Sequence, residues 1–347
     1  MNGKVLPVSQ HDYRTYPNVA NLFSIISGHE ETLPWVCNHF IQLVYFSSLR
    51  KIDYTNKTDS FFDPLLFDCP WLNIQYTHRD AIAHVWRGNF TRFAIDAVDM
   101  GNYLYFLADQ YYIRESEAYG KHPHHHDMFI YGYDPKAEIF YIADNLRNGK
   151  YVQTTCGFEE MEQAYAHADP MKDWFDCRVM SISFKPRTYF QYERYLSFDT
   201  IAVADALSRY VNGVKPATRM CMENSYGLEV YERLQEYLTE LKEGREVADI
   251  RLLHVLHEHK KLMRVRIRYM LEHGYLEDEQ WLSRYSAVEK EHEVCVGVML
   301  KYSLTGDGKL LDRIQTGLRE IVPLEKELLQ GIIRQLREGR HATGLTV

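Results

Sequence analysis

Short aromatic and β-branched runs mark the first two hundred residues, and a helical spacing of apolar positions takes over after them. Residues 103–109, 128–133, 139–143 and 179–185 form such runs and predict strands. Asp134-Pro135 opens a turn that runs through Glu138, so the second and third strands are predicted to pair antiparallel. Residues 157–166 have helical spacing, with Glu159 and Glu160 in the first turn. Upstream, residues 32–46 predict a buried helix in which Thr32 is the N-cap and Pro34 suits the first turn. Cys37 then falls near the positive end of that helix, a position that favours a thiolate.

Beyond residue 200 the spacing predicts helices over 228–241, 248–271, 279–300 and 309–336, parted by breaks at Gly244, Gly274 and Gly306/Gly308. The fold class expected is α+β: a catalytic α+β domain over 1–200, and an antiparallel α-helical bundle over 201–347 packed onto it. No internal repeat is visible, and only the last ten residues or so are expected to fray.

With 46% hydrophobic and 25% charged residues, the 347-residue chain has enough apolar content for a real core. Its net charge of -8 argues against nucleic acid as a partner, because phosphate binding draws on clustered Lys and Arg. The basic run Arg264-Val265-Arg266-Ile267-Arg268 reads instead as a helix surface. Six cysteines without a CxxC pair indicate neither a zinc knuckle nor a disulfide framework. The first residues carry no apolar signal segment, and no window is long and apolar enough for a membrane span, so a cytoplasmic protein is expected. The 26 tyrosines, many of them in the first two hundred residues, could pack strands or line a groove.

A thiol near a helix start, a histidine leading one strand and an aspartate ending the next are what a cysteine-nucleophile triad needs. Cys37 would be the nucleophile, His126 would take its proton, and Asp144 would hold the imidazole's tautomer and orientation. Cys69 is the reserve nucleophile; Cys156, Cys177, Cys221 and Cys295 read as structural. His122, His124 and His126 alternate and could instead hold a divalent ion with Asp109. His254 and His257, with Glu289 and His292, offer a second arrangement of that kind, although a polar stripe or salt-bridged surface accounts for them more simply.

The string His126-Asp127-Met128-Phe129-Ile130-Tyr131-Gly132-Tyr133-Asp134, followed by Phe140-Tyr141-Ile142-Ala143-Asp144, resembles the His-hydrophobic-Tyr-Gly-Tyr-Asp and Val-Ala-Asp segments of papain-like cysteine peptidase homologues. These include the peptidases that trim double-glycine leaders and the N-terminal domain of the butirosin-pathway acyltransferase. Asp109-Gln110-Tyr111-Tyr112-Ile113 is similar to the Asp-x-Tyr-Tyr segment before the histidine strand of that acyltransferase. The resemblance covers residues 30 to 170 and implies a papain-like fold, with an N-terminal helix and an antiparallel sheet. The peptidases carry a Gln shortly before the cysteine; no glutamine stands between Ser27 and Cys37 here. Backbone N–H groups or the Asn38 amide could then serve the oxyanion.

The resemblance implies an acyltransferase of natural-product assembly, related to the homologue implicated in closthioamide formation. It would take an acyl group from a carrier-protein-bound or other thioester onto Cys37 and pass it to a small-molecule amine. Asn38, Asp109, Tyr111, Tyr112 and His124 are the expected substrate contacts. Neither a cofactor nor a metal is called for, and a homodimer is compatible with the reading. A cysteine peptidase or hydrolase, and a non-catalytic binding protein on the same fold, are the alternatives.

Overall fold

The computed structural model describes residues 3–55, 68–185, 196–215 and 223–342; Cys221 and the last five residues of the expected frayed end lie outside them. In chain order the elements are strand β1 (Lys4–Val5), helices α1 (Pro17–Ile26) and α2 (Leu33–Asn38), and strands β2 (Gln42–Phe46), β3 (Lys51–Thr55) and β4 (Leu72–His78). Helices α3 (Arg79–Val85) and α4 (Phe90–Asp99) precede strands β5 (Tyr103–Asp109), β6 (His125–Asp134), β7 (Ile139–Arg147) and β8 (Lys150–Gly157). Helix α5 (Phe158–Ala166), strand β9 (Arg178–Phe184), helix α6 (Thr200–Val211) and strand β10 (Ser225–Tyr226) follow. Four long helices come last: α7 (Val230–Lys242), α8 (Arg251–Glu272), α9 (Gln280–Thr305) and α10 (Gly308–Ala342). The class is mixed α+β with antiparallel sheets. No helix among the described residues is long and apolar enough to cross a membrane.

The chain divides into two compact units, Met1–Thr32 with Leu66–Glu193, and Leu33–Leu65 with Arg194–Val347. The expected division at residue 200 therefore does not carry Leu33–Leu65, which belongs with the helical half. Its strands β2 and β3 pair with each other, and β2 pairs with β10 of the later chain.

In the first unit the strands run β4-β9-β5-β6-β7-β8, all antiparallel, and β1 pairs with the far end of β6. Every residue of β5 is buried, which is why Tyr103-Leu104-Tyr105-Phe106-Leu107-Ala108 reads as a continuous apolar run rather than an alternating one. Phe90 of α4 stacks on Tyr165 of α5 and meets Phe106, closing the sheet against these helices. The β6–β7 hairpin forms as its Asp-Pro turn predicts: Asp134 Oδ1 accepts from the Lys136 N–H at 2.8 Å, an Asx turn. Gly132 has a packing reason, since a Cβ there would lie 2.7 Å from the Lys4 carbonyl oxygen and 2.9 Å from Val5 Cα. A larger residue at 132 would push β1 off the sheet.

In the second unit the expected helices appear as α7 to α10, with α9 packed on α8 and α10, and α10 also on α6 and α7. Gly306 ends α9 in the left-handed region at φ 69° and returns its N–H to the Tyr302 carbonyl. The predicted helix over 32–46 forms only over Leu33–Asn38. Helix α2 stops at Asn38, Phe40 adopts φ 56°, and Gln42-Leu43-Val44-Tyr45-Phe46 becomes strand β2. Apolar runs of this kind fit a buried helix or a buried strand equally well, and pairing with β3 and β10 decides it.

Candidate functional site

His126 and Asp144 meet because of strand register. Phe129 stands opposite Ala143 and Ile130 opposite Ile142. Continuing that register places Met128 opposite Asp144, so His126, two residues back on the same face, is the diagonal neighbour of Asp144. The His126 Nδ1 to Asp144 Oδ2 distance is 3.0 Å, with the imidazole 27% exposed and the carboxylate 1%. The unit thus holds a reachable ring on a carboxylate that water does not reach.

Two neighbours complete the surroundings of Asp144. Gln110 Nε2 donates to Oδ2 at 2.6 Å, and the Asn145 N–H donates to Oδ1 at 2.7 Å. Gln110 Oε1 in turn accepts from Ser116 Oγ at 2.9 Å, and Ser116 Oγ accepts from the Ala118 N–H at 3.1 Å. Neither Gln110 nor Ser116 stands out in the sequence. The available signal is a polar pair, Asp109-Gln110, that closes a buried and otherwise apolar strand.

Burial lowers the proton affinity of His126, but the charge and hydrogen bond of Asp144, with a smaller contribution from Asp127, outweigh it and raise the pKa from 6.5 to about 9. The ring is therefore an imidazolium at neutral pH. His124 stacks on it with centroids 5.5 Å apart and planes 14° off parallel. Partial burial and then the charge of His126 lower the pKa of His124.

The residues expected to contact substrate have structural partners. Asp109 Oδ1 accepts from the Tyr111 N–H at 3.0 Å and the His124 N–H at 2.8 Å, clipping both ends of the loop that carries Gln110. Tyr111 and Tyr112 meet edge to face, and Tyr112 also lies on His167 at 4.6 Å. Asn38 Nδ2 donates to the Ser197 carbonyl at 2.8 Å and its Oδ1 accepts from the Asp199 N–H at 2.9 Å, so both ends of the amide expected at an oxyanion are used.

Cys37 lies in the second unit, His126 and Asp144 in the first. Its place on helix α2 is also opposite to the one expected: it is the penultimate residue of Leu33–Asn38, beside the negative end. Arg266 of α8 serves that end, donating from Nε to the Cys37 carbonyl at 2.7 Å and from its terminal nitrogen to the His39 carbonyl. The side chain of Cys37 is buried at 1% exposure, and burial, opposed by Arg266, pushes the thiol up to about 12. The expected thiolate is thus a protonated thiol here. Burial also pushes Cys69, the reserve, up to about 12.

Among the described residues no group of three or more His, Cys, Asp or Glu side chains is arranged to hold a metal ion. His292 is committed to Tyr231 Oη at 2.6 Å and the Val288 carbonyl at 2.7 Å, and Glu289 pairs with Arg264. A more notable cluster fills the second unit: Lys260 Nζ donates to Glu325 Oε1 at 2.7 Å and Tyr210 Oη at 2.7 Å, and Tyr285 Oη reaches the same Glu325 oxygen at 2.8 Å. Lys260 and Glu325 are both fully buried. No family model matches this chain, and no curated protein matches it either.

Proposed function

We propose that this protein is a cysteine-dependent acyltransferase that makes an amide from an acyl thioester and an amine, in natural-product assembly of the nonribosomal-peptide-like kind. The fold we assign to it is papain-like, followed by a helical bundle, in a cytoplasmic protein. The observation that carries the reading is the His126–Asp144 contact of 3.0 Å, a reachable imidazole oriented by a buried carboxylate. The resemblance of the surrounding strand sequences supports it, as does the order Cys37, His126, Asp144 along the chain.

In this reading the Cys37 thiol passes its proton to the neutral, free-base form of His126 and the sulfur attacks the thioester carbonyl. The donor's C–S bond breaks, and the departing thiol takes up the proton from His126. An amine then attacks the new thioester, the C–N bond forms, the bond to the Cys37 sulfur breaks, and the amine's surplus proton returns to that sulfur through His126.

Intact mass spectrometry after incubation with carrier-bound and small acyl thioesters tests the proposal. A single acyl adduct mapped to Cys37, absent in Cys37→Ala, is the expected result; His126→Ala should slow its formation by roughly two to four orders of magnitude. The rate should climb with pH until about 9, where His126 becomes the free base. An adduct on Cys69 would move the nucleophile, and free acid with every amine would make the enzyme a hydrolase. A second reading is favoured by the burial of Cys37 and its tie to Arg266, which suit a structural cysteine. In that case the imidazolium of His126 binds an anionic ligand without chemistry, and no cysteine is acylated.

A further inference from the structure

We infer that Gln110 is a positioning residue: directed by Ser116, it pins Asp144 so that His126 keeps its proton on Nδ1 and offers Nε2 to the reaction. The inference rests on the proposed role of the His126–Asp144 pair and deepens it. Its basis is the directionality of five hydrogen bonds. The Ala118 N–H can only donate, so Ser116 Oγ accepts from it at 3.1 Å and its one proton is free to point to Gln110 Oε1, at 2.9 Å. With its oxygen on Ser116, the Gln110 amide turns its Nε2 donors toward Asp144 Oδ2, at 2.6 Å, where an acceptor-only carboxylate receives them. Asp144 then meets donors on both oxygens, from Gln110 and His126 on Oδ2 and from the Asn145 backbone on Oδ1.

A carboxylate so surrounded has no acceptor for a proton of its own. The ring nitrogen facing it is then the donor. Gln110, Ser116 and Asp144 are all buried, so water does not compete for these bonds. Gln110 is held in place by the chain itself: its own N–H donates to the His124 carbonyl at 2.8 Å, and Asp109 clips the same turn. The relay therefore ties the loop that carries His124 to the carboxylate that orients His126. The charged and titratable groups facing His126 are Asp144 from β7, Asp127 beside it on β6, and His124 in the preceding loop.

The test is an imidazole 15N NMR titration of the full chain labelled in histidine, with the His126 signals assigned from His126→Gln. In the unsubstituted protein Nδ1 should stay protonated throughout, and the midpoint should lie near 9. Gln110→Met keeps length and removes the donor. Its midpoint should fall by a pH unit or more, roughly a tenfold loss of proton affinity, and its neutral ring should populate both tautomers. Ser116→Ala should shift both readouts the same way by a smaller amount, and decides the matter by the same criterion if Gln110→Met does not fold. A midpoint that stays or rises, with the Nδ1–H tautomer kept, would overturn the role of Gln110. If instead no cysteine is ever acylated while these shifts appear, the acyltransferase reading falls and the positioning role of Gln110 stands.

Discussion

Replacing Asp144 with Asn should make the stability of this protein depend on pH in the opposite sense. With the carboxylate present, His126 binds its proton more tightly folded, at about 9, than unfolded, at 6.5. Its contribution is then complete below 6.5 and is lost as pH rises through 9. The interval corresponds to roughly 3 kcal/mol, an order-of-magnitude figure for a ring 27% exposed. In Asp144→Asn the burial of the ring loses its main opposing charge, so its pKa falls and stability should decline as pH drops below 6.5. The variant also leaves a mismatched amide beside Gln110, which costs about 1–3 kcal/mol at every pH. Urea unfolding of both full chains at pH 6, 8 and 10 separates the two effects. The loss of stability in the variant should be about 3 kcal/mol larger at pH 6 than at pH 10. A loss of the same size at all three values would show that Asp144 does not hold the proton on His126.

Two further outcomes concern the second unit. Lys260→Met should cost about 3–5 kcal/mol in the same unfolding assay, because Glu325 is left as an unpaired buried charge, and adding Glu325→Leu should recover part of it; a double variant worse than the single one would contradict this. Alkylation of Cys37 by iodoacetamide, followed by peptide mass spectrometry, should be slow at pH 7 and rise about tenfold per pH unit to pH 10, since only the thiolate reacts; a plateau below pH 9 would mean that a neighbouring group deprotonates the thiol.

What could be read from the sequence follows the range of the interactions that decide it. The β6–β7 hairpin was legible because an Asp-Pro turn and two aromatic runs lie within twenty residues, and its register alone brings His126 to Asp144. Strands β4 and β8 were not, since Leu72–His78 and Lys150–Gly157 carry enough exposed polar residues to mask them. The run 32–46 failed for a different reason. Its apolar spacing suits a helix, but half of it completes a sheet whose third strand is Ser225–Tyr226, far along the chain.

That one misreading changed the chemistry expected at Cys37. Placed early in a long helix, the thiol would have had unpaired N–H groups ahead of it and every reason to ionise. Placed at the end of a six-residue helix, it sits among carbonyls, and the cation that serves them, Arg266, is 229 residues away in sequence and bonded to the backbone. The guanidinium lowers the thiol's pKa, yet burial outweighs it. Gln110 is the converse case: near the dyad in sequence but silent in composition, it acquires meaning only from the turn that Asp109 closes. Chain order can thus suggest the members of a triad, but the proton each one holds is set by the ends of helices and strands, and by residues that sequence spacing does not mark.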